Sequence, residues 1–280
     1  MPVSVRIVYA GFKSFEFRKH VKGELRAIMA QETEKISAGL ITGLSLTIVY
    51  DNHSYQQGLA SGWGFSCLIT GPEKTILFDT GPDGSLPGNM EKMAIDMSGI
   101  DAVVLSHIHP DHTGGLESFL EKNPDVTVYM PKSFPERFKD KVQAQGAQVR
   151  EVGQPTEICD NVRSTGQAGK EIKEQSLVIR TDKGLVVIIG CAHPGIANIV
   201  KAVKNVMKDD ILLVISCFHL EWASKGKIEQ IISTFKQSGV QYVGLCHGSS
   251  DKARSLFKEY YGPNYIKIGA GKVISLADLQ

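Results

Sequence analysis

The chain of 280 residues lacks long apolar runs, and no stretch approaches the roughly 18 apolar residues of a membrane-spanning helix. Residues 1–26 carry charges throughout and have no apolar centre of the kind that a signal peptide needs. Charge of one sign is not in excess either, because 31 Lys and Arg residues face 30 Asp and Glu residues. We therefore expect neither a membrane nor a nucleic acid as a partner.

Cysteine is scarce and odd in number. The five cysteines are Cys67, Cys159, Cys191, Cys217 and Cys246. An odd count without a secretion signal argues against a disulfide framework and favours a reducing compartment, so we predict a cytoplasmic protein. With 42% hydrophobic residues, the composition is that of an ordinary globular protein large enough for one or two domains.

Apolar runs and helical periodicity predict the architecture. Residues 1–44 are expected to form a small N-terminal βαβ extension, which is a candidate for homodimer formation, and residues 45–280 the main domain. In each half of that domain a hairpin comes first, "GFSCLIT" with "KTILFDTG" and then "SLVIRT" with "GLVVIIGCAH", and alternating strands and helices follow. This order predicts an α+β fold, a four-layer αββα sandwich with two sheets inside and helices outside.

The stretch "SHIHPDHTGG" at residues 106–115 holds three of the eight histidines of the chain, directly after the apolar run "AVVL". A packed core has no need for clustered imidazoles. His107 and His109 are two positions apart, so in an extended segment both rings face one side and can hold one ion. Asp111 and His112 then project toward a second position. Imidazole with one carboxylate suits zinc, with iron or manganese as alternatives.

Polar side chains recur where other predicted strands end. Asp79 follows "ILF", His193 follows "VVIIGCA", His219 follows "LLVISCF" and His247 follows "YVGLC". Loops at one end of a rigid sheet are where binding and catalytic sites are built. We therefore expect these side chains to converge in space with the histidine-rich turn.

The pattern H-x-H-x-D-H after an apolar strand resembles the central motif of the metallo-β-lactamase fold superfamily, and the resemblance covers about residues 45–275. It implies that Asp79 orients metal ligands through hydrogen bonds and that His193 and His247 are further ligands. The stretches "LFDTG", "GCAHPGIANIV", "CFHL" and "GAGKVISL" are similar to the dihydropteroate-synthase-like branch, named for 7,8-dihydropterin-6-methyl-4-(β-D-ribofuranosyl)aminobenzene-5′-phosphate synthase. The implied metal ligands are His107, His109, Asp111, His112, His193 and His247.

Two motifs depart from the superfamily pattern. The bridging aspartate of the fourth motif is missing, and "ISCFHL" offers Cys217 and His219 in its place. Either side chain is able to ligate a metal, but burial also explains the thiol, and a substrate contact or a ligand-orienting role also explains the imidazole. At the fifth motif the chain reads "CHGSS", where we retain His247. We expect Cys191 and Cys246, both close to predicted ligands, to be packing residues.

The expected function is that of a metal-dependent hydrolase, or a related pyrophosphate-displacing enzyme, which uses a metal-bound hydroxide on a small anionic substrate. Two zinc ions are the predicted cofactor. Asp111 is expected to ligate a metal and orient the hydroxide, and His219 is the candidate proton donor to the leaving group. The basic stretch "KSFPERFKDK" is a candidate for attracting the substrate, although a solvated helix face explains it equally well.

Two other functions stay open. An iron-containing redox protein is one, because several cysteines lie near the predicted site. Against it, His109 stands where flavodiiron proteins have a carboxylate, which favours zinc. The other is a metal-binding sensor or binding module whose site has drifted, as the loss of the bridging aspartate would permit. Metal content separates these functions, since two ions per chain favour catalysis and none favours a binding module.

Overall fold

The computed structural model describes residues 40–71 and 73–279. The predicted βαβ extension over residues 1–44 falls almost wholly outside this range and stays a prediction. At the start of the described range, Ile41 and Leu44 are already buried in an apolar cluster.

Strands and helices alternate through the described part of the chain. Its strands are β1 (Ser45–Tyr50), β2 (Ser66–Thr70), β3 (Thr75–Phe78), β4 (Ala102–Val104), β5 (Thr127–Pro131), β6 (Gln148–Val152), β7 (Thr156–Cys159), β8 (Val162–Ser164), β9 (Leu177–Thr181), β10 (Gly184–Ile188), β11 (Ile211–Ser216), β12 (Tyr242–Leu245), β13 (Tyr265–Lys267) and β14 (Val273–Ser275). Its helices are α1 (Leu86–Lys92), α2 (Pro110–Thr113), α3 (Leu116–Leu120), α4 (Glu136–Ala144), α5 (Ile196–Met207), α6 (Lys225–Gln237) and α7 (Asp251–Tyr261).

The strands form two mixed sheets of seven strands each. The first sheet has the order β14-β1-β2-β3-β4-β5-β6, and the second has the order β13-β12-β11-β10-β9-β8-β7. Each contains the predicted hairpin, β2 with β3 and β9 with β10, which pair antiparallel. The strands that follow each hairpin pair in parallel, β3 through β6 and β10 through β13, because helices cross between them.

Three apolar clusters make the layers. One lies between the sheets and joins residues of the first, such as Ile48 and Phe78, to residues of the second, such as Ile188 and Ile215. A second packs the outer face of the second sheet against α5, α6 and α7. The third packs the outer face of the first sheet against α1, α3 and α4. The predicted α+β fold with four αββα layers is confirmed.

Sequence pattern explains the larger helices. In α5 the buried residues are Ile196, Ile199, Val200 and Val203, the spacing of one helical face. Serine begins the next two helices as an N-cap: the Ser224 side chain accepts from the amide of Lys227 in α6, and Ser250 does the same in α7. Among the described residues, none of these helices combines the length and apolar character needed to cross a bilayer.

Some elements were not anticipated from the sequence. The helix α1 and the strands β6 to β8 had no prediction; in β6 most side chains are exposed, so its pattern is weakly apolar. The two closing strands were predicted as a pair, but they lie in different sheets. β13 pairs with β12 and β14 pairs with β1, because the chain crosses from the second sheet to the first between them.

Candidate metal centre

The polar residues that follow the strands meet at one edge of the sandwich. β3 is parallel to β4, and β10 and β11 are parallel to their successors, so the carboxyl ends of these strands lie at the same edge of their sheet. Contacts between side chains of the two sheets close the site, since His112 of the first sheet's loops reaches Cys191 of the second. Two groups of side chains with the composition and spacing to hold a metal ion form there.

The first donor group consists of His107, His109 and His193, whose ligand atoms all lie within 4.8 Å of one another. The Nε2 atom of His107 is 3.1 Å from the Nδ1 atom of His109. The ring of His193 lies with its centroid 4.7 Å from that of His107 and 4.8 Å from that of His109. Three imidazoles therefore face one point.

The second donor group consists of Asp111, His112, Cys191 and His247, again within 4.8 Å of one another. One Asp111 oxygen, Oδ2, lies 3.4 Å from the Nε2 atoms of both His112 and His247. The Sγ atom of Cys191 lies 3.1 Å from His112 Nε2 and 3.7 Å from His247 Nε2. Carboxylate, thiol and two imidazoles thus converge in a mostly buried space.

The two donor groups lie side by side. The ring centroids of His107 in the first group and His112 in the second are 4.3 Å apart. The turn at residues 107–112 contributes to both groups, and so does the segment at residues 191–193. The structure therefore brings together all six predicted metal ligands and adds Cys191, for which we had expected only packing. Its position at the carboxyl end of β10, two residues before His193, was the signal that could have identified it.

Asp79 connects the end of β3 to the histidine-rich turn. It is fully buried, and its Oδ1 accepts a hydrogen bond of 2.7 Å from the backbone N–H of Ser106. Its Oδ2 lies 2.6 Å from His112 Nδ1 and 2.8 Å from the Ser106 hydroxyl. That hydroxyl is in turn 2.8 Å from His107 Nδ1. Asp79 is thus placed to fix the ring orientation of one histidine in each group.

Two further buried carboxylates hold segments that carry ligands, and the sequence analysis missed both. Glu174 accepts hydrogen bonds from the backbone N–H groups of Ala192 at 3.0 Å and His193 at 2.7 Å. Asp51 accepts one of 2.7 Å from the backbone N–H of His247. Asp51 follows β1 just as Asp79 follows β3, so the strand-end pattern could have identified it. Nothing in the sequence distinguishes Glu174 from an exposed acid.

Arg254 fixes the loop that carries His247. Its guanidinium donates hydrogen bonds to the carbonyl oxygens of Leu245 and Cys246, both at 2.7 Å, and of Ser249 at 3.1 Å. Arg254 projects from the first turn of α7, so this helix and Asp51 hold the histidine loop from two directions.

Burial and neighbouring charges give the two groups different protonation. Burial lowers the pKa of His193 to about 4 and the pKa of His107 far below its usual value, where neighbouring histidines add to the effect. Burial opposes the charged form of His112, yet Asp79 raises its pKa well above the usual value. Burial also opposes the charged form of Asp111, but its hydrogen bonds to His112 and His247 hold its pKa far below normal. His107 and His193 are therefore neutral at pH 7, whereas the second group carries protons.

The donors of each group fit a divalent cation. In the first group two ring nitrogens face each other at 3.1 Å, and the buried Nε2 atom of His193 has no hydrogen-bond partner. Lone pairs that converge in this way are stabilised when a cation lies between them. In the second group, two imidazoles, a carboxylate and a thiol are ligand types that zinc accepts.

The backbone at this edge is strained. Asp79, Ala192, Phe218 and His219 have φ angles between 52° and 58°, a left-handed conformation that side chains disfavour. Close packing also requires glycine at Gly190, where an added Cβ would lie 2.3 Å from the Ser106 hydroxyl oxygen. These strained residues follow the ends of strands, where the backbone turns and directs side chains into the site.

Cys217 and His219, the two candidates at the fourth motif, lie beside the donor groups and belong to neither. The buried Cys217 thiol hydrogen-bonds with Cys191. His219 is exposed, and its ring centroid is 5.2 Å from that of His193. Their roles as ligands or as proton donor stay predictions.

Comparison with known proteins agrees with this fold. Residues 64–175 match the family model of the metallo-β-lactamase superfamily. The chain is 27% identical to a 7,8-dihydropterin-6-methyl-4-(β-D-ribofuranosyl)-aminobenzene-5′-phosphate synthase of Methanocaldococcus jannaschii, over 81% of this chain and 95% of the synthase. A flavorubredoxin of Vibrio vulnificus, an anaerobic nitric oxide reductase, is 30% identical over only 29% of this chain and 17% of its own length.

Among solved structures, Tm1679, a metal-dependent hydrolase of the β-lactamase superfamily, superposes with a TM-score of 0.70 at 29% identity and covers 82% of this chain and 98% of its own. The family model matches the part of the chain that carries the histidine-rich turn, and this structural match extends through the second sheet. The chain thus resembles the metallo-β-lactamase superfamily in sequence over residues 64–175 and in fold over most of its length.

Proposed function

We propose that this chain is a metal-dependent hydrolase, or a related pyrophosphate-displacing enzyme, that holds two divalent ions and acts on a small anionic substrate. The observation that carries the proposal is the pair of adjacent donor groups, which together use His107, His109, Asp111, His112, Cys191, His193 and His247. These residues would hold two ions side by side, an arrangement that would supply charge stabilisation to a displacement reaction. Zinc suits the nitrogen and sulfur donors best, and iron or manganese is the alternative.

Bound ions would lower the pKa of water at the site toward neutrality and polarise the phosphoryl or carbonyl oxygen under attack. The residues of the chain would hold the ions and orient the attacking water. Asp111 stays ionised, because its pKa lies far below the usual value, and it is thus able to accept a hydrogen bond from the attacking water. The neutral rings of His107 and His193 are in the form that binds a metal.

His219 is the proposed proton donor to the leaving group. It lies at the exposed side of the first donor group, with its ring centroid 5.2 Å from that of His193. An exposed imidazole close to the reacting centre exchanges protons with solvent, which a general acid needs in each cycle. Five free cysteines agree with the reducing cytoplasm as the proposed location.

The test is turnover by the purified full-length chain loaded with zinc, iron or manganese. We expect cleavage of an ester, thioester, phosphodiester or pterin pyrophosphate, about two ions per chain, and loss of turnover in H107A and H247A. The matched control is H53A, since His53 is an exposed loop histidine outside both groups. Metal-loaded protein without turnover of any of these substrates would contradict the proposal.

Two alternatives have their own outcomes. The partial match to the flavorubredoxin favours an iron redox protein, which a coloured protein with an iron absorption band would support. A chain that takes up no metal would support a drifted binding module.

A further inference from the structure

The segment Cys191–Ala192–His193 contributes to both donor groups. Cys191 belongs to the second group and His193 to the first. In an extended strand, residues two positions apart would face the same side. Here Ala192 lies between them with a φ of 58°, in the left-handed region. This bend lets the two side chains diverge toward different sites, and a residue with a Cβ adopts it only under restraint.

Glu174 supplies the restraint. It stands 18 residues before Ala192 in the chain, and one of its carboxylate oxygens accepts the backbone N–H of Ala192 at 3.0 Å. The other accepts the backbone N–H of His193 at 2.7 Å. The side chain also packs against the start of the segment, because a Cβ added at Gly190 would meet its Oε1 atom at 3.2 Å. Both oxygens are thus used on the two peptide groups that form the bend.

A carboxyl side chain is an unexpected acceptor for a purely structural contact at this depth. Glu174 is 2% exposed, and an ionised carboxylate is costly to bury. A neutral carbonyl oxygen would satisfy two N–H groups at a lower desolvation cost. Cations held by Cys191 and His193 would offset the cost, since the carboxylate lies one peptide group away from both ligands.

We propose that Glu174 is a positioning residue of the metal centre: it holds Ala192 in the left-handed bend and thereby assigns Cys191, as a thiolate ligand, and His193 to different ions. The inference rests on the proposed two-metal function. Glu174 itself belongs to neither donor group, so it acts through the segment and not on the metal or the substrate.

Cobalt titration of the metal-free, full-length chain tests the proposal, because a thiolate bound to Co²⁺ gives a near-ultraviolet charge-transfer band. Wild type should bind two Co²⁺ ions and show that band, and C191S should lose it. E174Q retains one acceptor oxygen but turns an amide N–H₂ toward a backbone N–H. We expect its three-histidine site to bind Co²⁺ about 10- to 100-fold more weakly while the thiolate band persists. E151Q is the matched control, since Glu151 is an exposed partner of Lys139.

A rescue variant separates positioning from general damage. Glycine adopts the left-handed bend without strain, so E174Q/A192G should regain part of the lost affinity of the three-histidine site, and part of the fold if E174Q alone is poorly folded. Equal Co²⁺ affinities in E174Q and wild type would overturn the proposal, as would a thiolate band that survives in C191S or a double variant that is no better than E174Q. Failure of the proposed function has a different signature. The Co²⁺ spectra would then be as predicted, but the metal-loaded protein would hydrolyse none of the substrates.

Discussion

At the scale of single residues, three buried acidic side chains hold the segments that carry the candidate metal ligands. Asp51, Asp79 and Glu174 belong to neither donor group, yet each accepts a backbone N–H from a segment that carries a ligand. Their oxygen atoms lie 2.7 Å from these backbone nitrogens in all three cases. The orientation of the candidate ligands is thus set by residues that belong to neither donor group.

Asp79 offers the most direct test of this arrangement. In the wild type, Asp79 Oδ2 lies 2.6 Å from His112 Nδ1. D79N replaces one of the two carboxylate oxygens with an amide NH₂ group, so Ser106 and His112 no longer both have a carboxylate acceptor. We expect metal affinity to fall about 10- to 100-fold with little change in fold, because the ring of His112 loses its orienting partner. Competition with a chromogenic chelator measures the affinity, and D140N on the exposed face of α4 is the control. Equal affinities in D79N and D140N would show that the contact does not matter.

Gly190 tests the close approach of the two sheets behind the site. A Cβ at this position would lie 2.3 Å from the Ser106 hydroxyl oxygen and 2.7 Å from its Cβ. G190A should therefore lower the free energy of unfolding by about 1–3 kcal/mol, the usual cost of overpacking. Urea denaturation provides the value. G88A in α1, where an added Cβ meets nothing within 4 Å, should leave stability unchanged or raise it; a similar loss in both variants would refute the argument.

At the scale of elements, an aromatic cluster links the outer helices to the loop that carries His219. The ring of Phe235 in α6 packs against Phe218 of that loop and Phe257 of α7 at centroid distances of 5.4 Å and 5.8 Å, and those two rings are 5.2 Å from each other. All three side chains are buried. The left-handed residues Phe218 and His219 are therefore held in place by helix packing rather than by a strand.

Truncation of this cluster has a predictable cost. F235A should lower the free energy of unfolding by about 3–5 kcal/mol, as for other buried aromatic side chains. V206A serves as the control, because Val206 on α5 is 76% exposed and its truncation should change stability by less than about 0.5 kcal/mol. Thermal and urea denaturation of both variants give the comparison. A loss below about 1 kcal/mol in F235A would mean that the cluster is loosely packed.

At the scale of the whole molecule, the two donor groups should respond differently to acid. The pKa of His193 is about 4 and that of His107 lies far below its usual value, so these two ligands of the first group stay unprotonated well below neutrality. In the second group the pKa values of His112 and His247 are raised despite burial, chiefly by Asp79 and Asp111, so metal entry there must displace protons. As the pH falls below 7, the second group should therefore lose its ion before the first.

Calorimetric titration with zinc in buffers of different ionisation enthalpy measures this difference. One binding step should release more protons at pH 7 and weaken more steeply in acid than the other. H247A, which removes a ligand of the second group, should abolish the proton-releasing step alone. Two steps with the same proton release would contradict the assignment of protonation to the two groups.

Much of the fold was predictable because its signals are local. Apolar runs such as "LLVIS" and "GLVVII" are too short and too uniformly apolar for surface helices, and turn residues separate them, so β9, β10 and β11 were assigned correctly. The elements without a prediction are those whose pattern is weak. β6 is mostly exposed, and α1 begins without a side-chain cap. The separation of β13 from β14 depends on long-range pairing that no local pattern encodes.

The sequence by itself determined the candidate ligands that stand in a dense motif or at the end of an apolar run, because side-chain chemistry and strand position both follow from the order of residues. Only the tertiary structure decided which ligands share a group, why Cys191 faces His112, and that Glu174 and Asp51 hold the loops. Those relations join residues 18 to 196 positions apart. They follow from how two sheets meet at one edge, where burial and a strained backbone, not sequence neighbours, fix the distances.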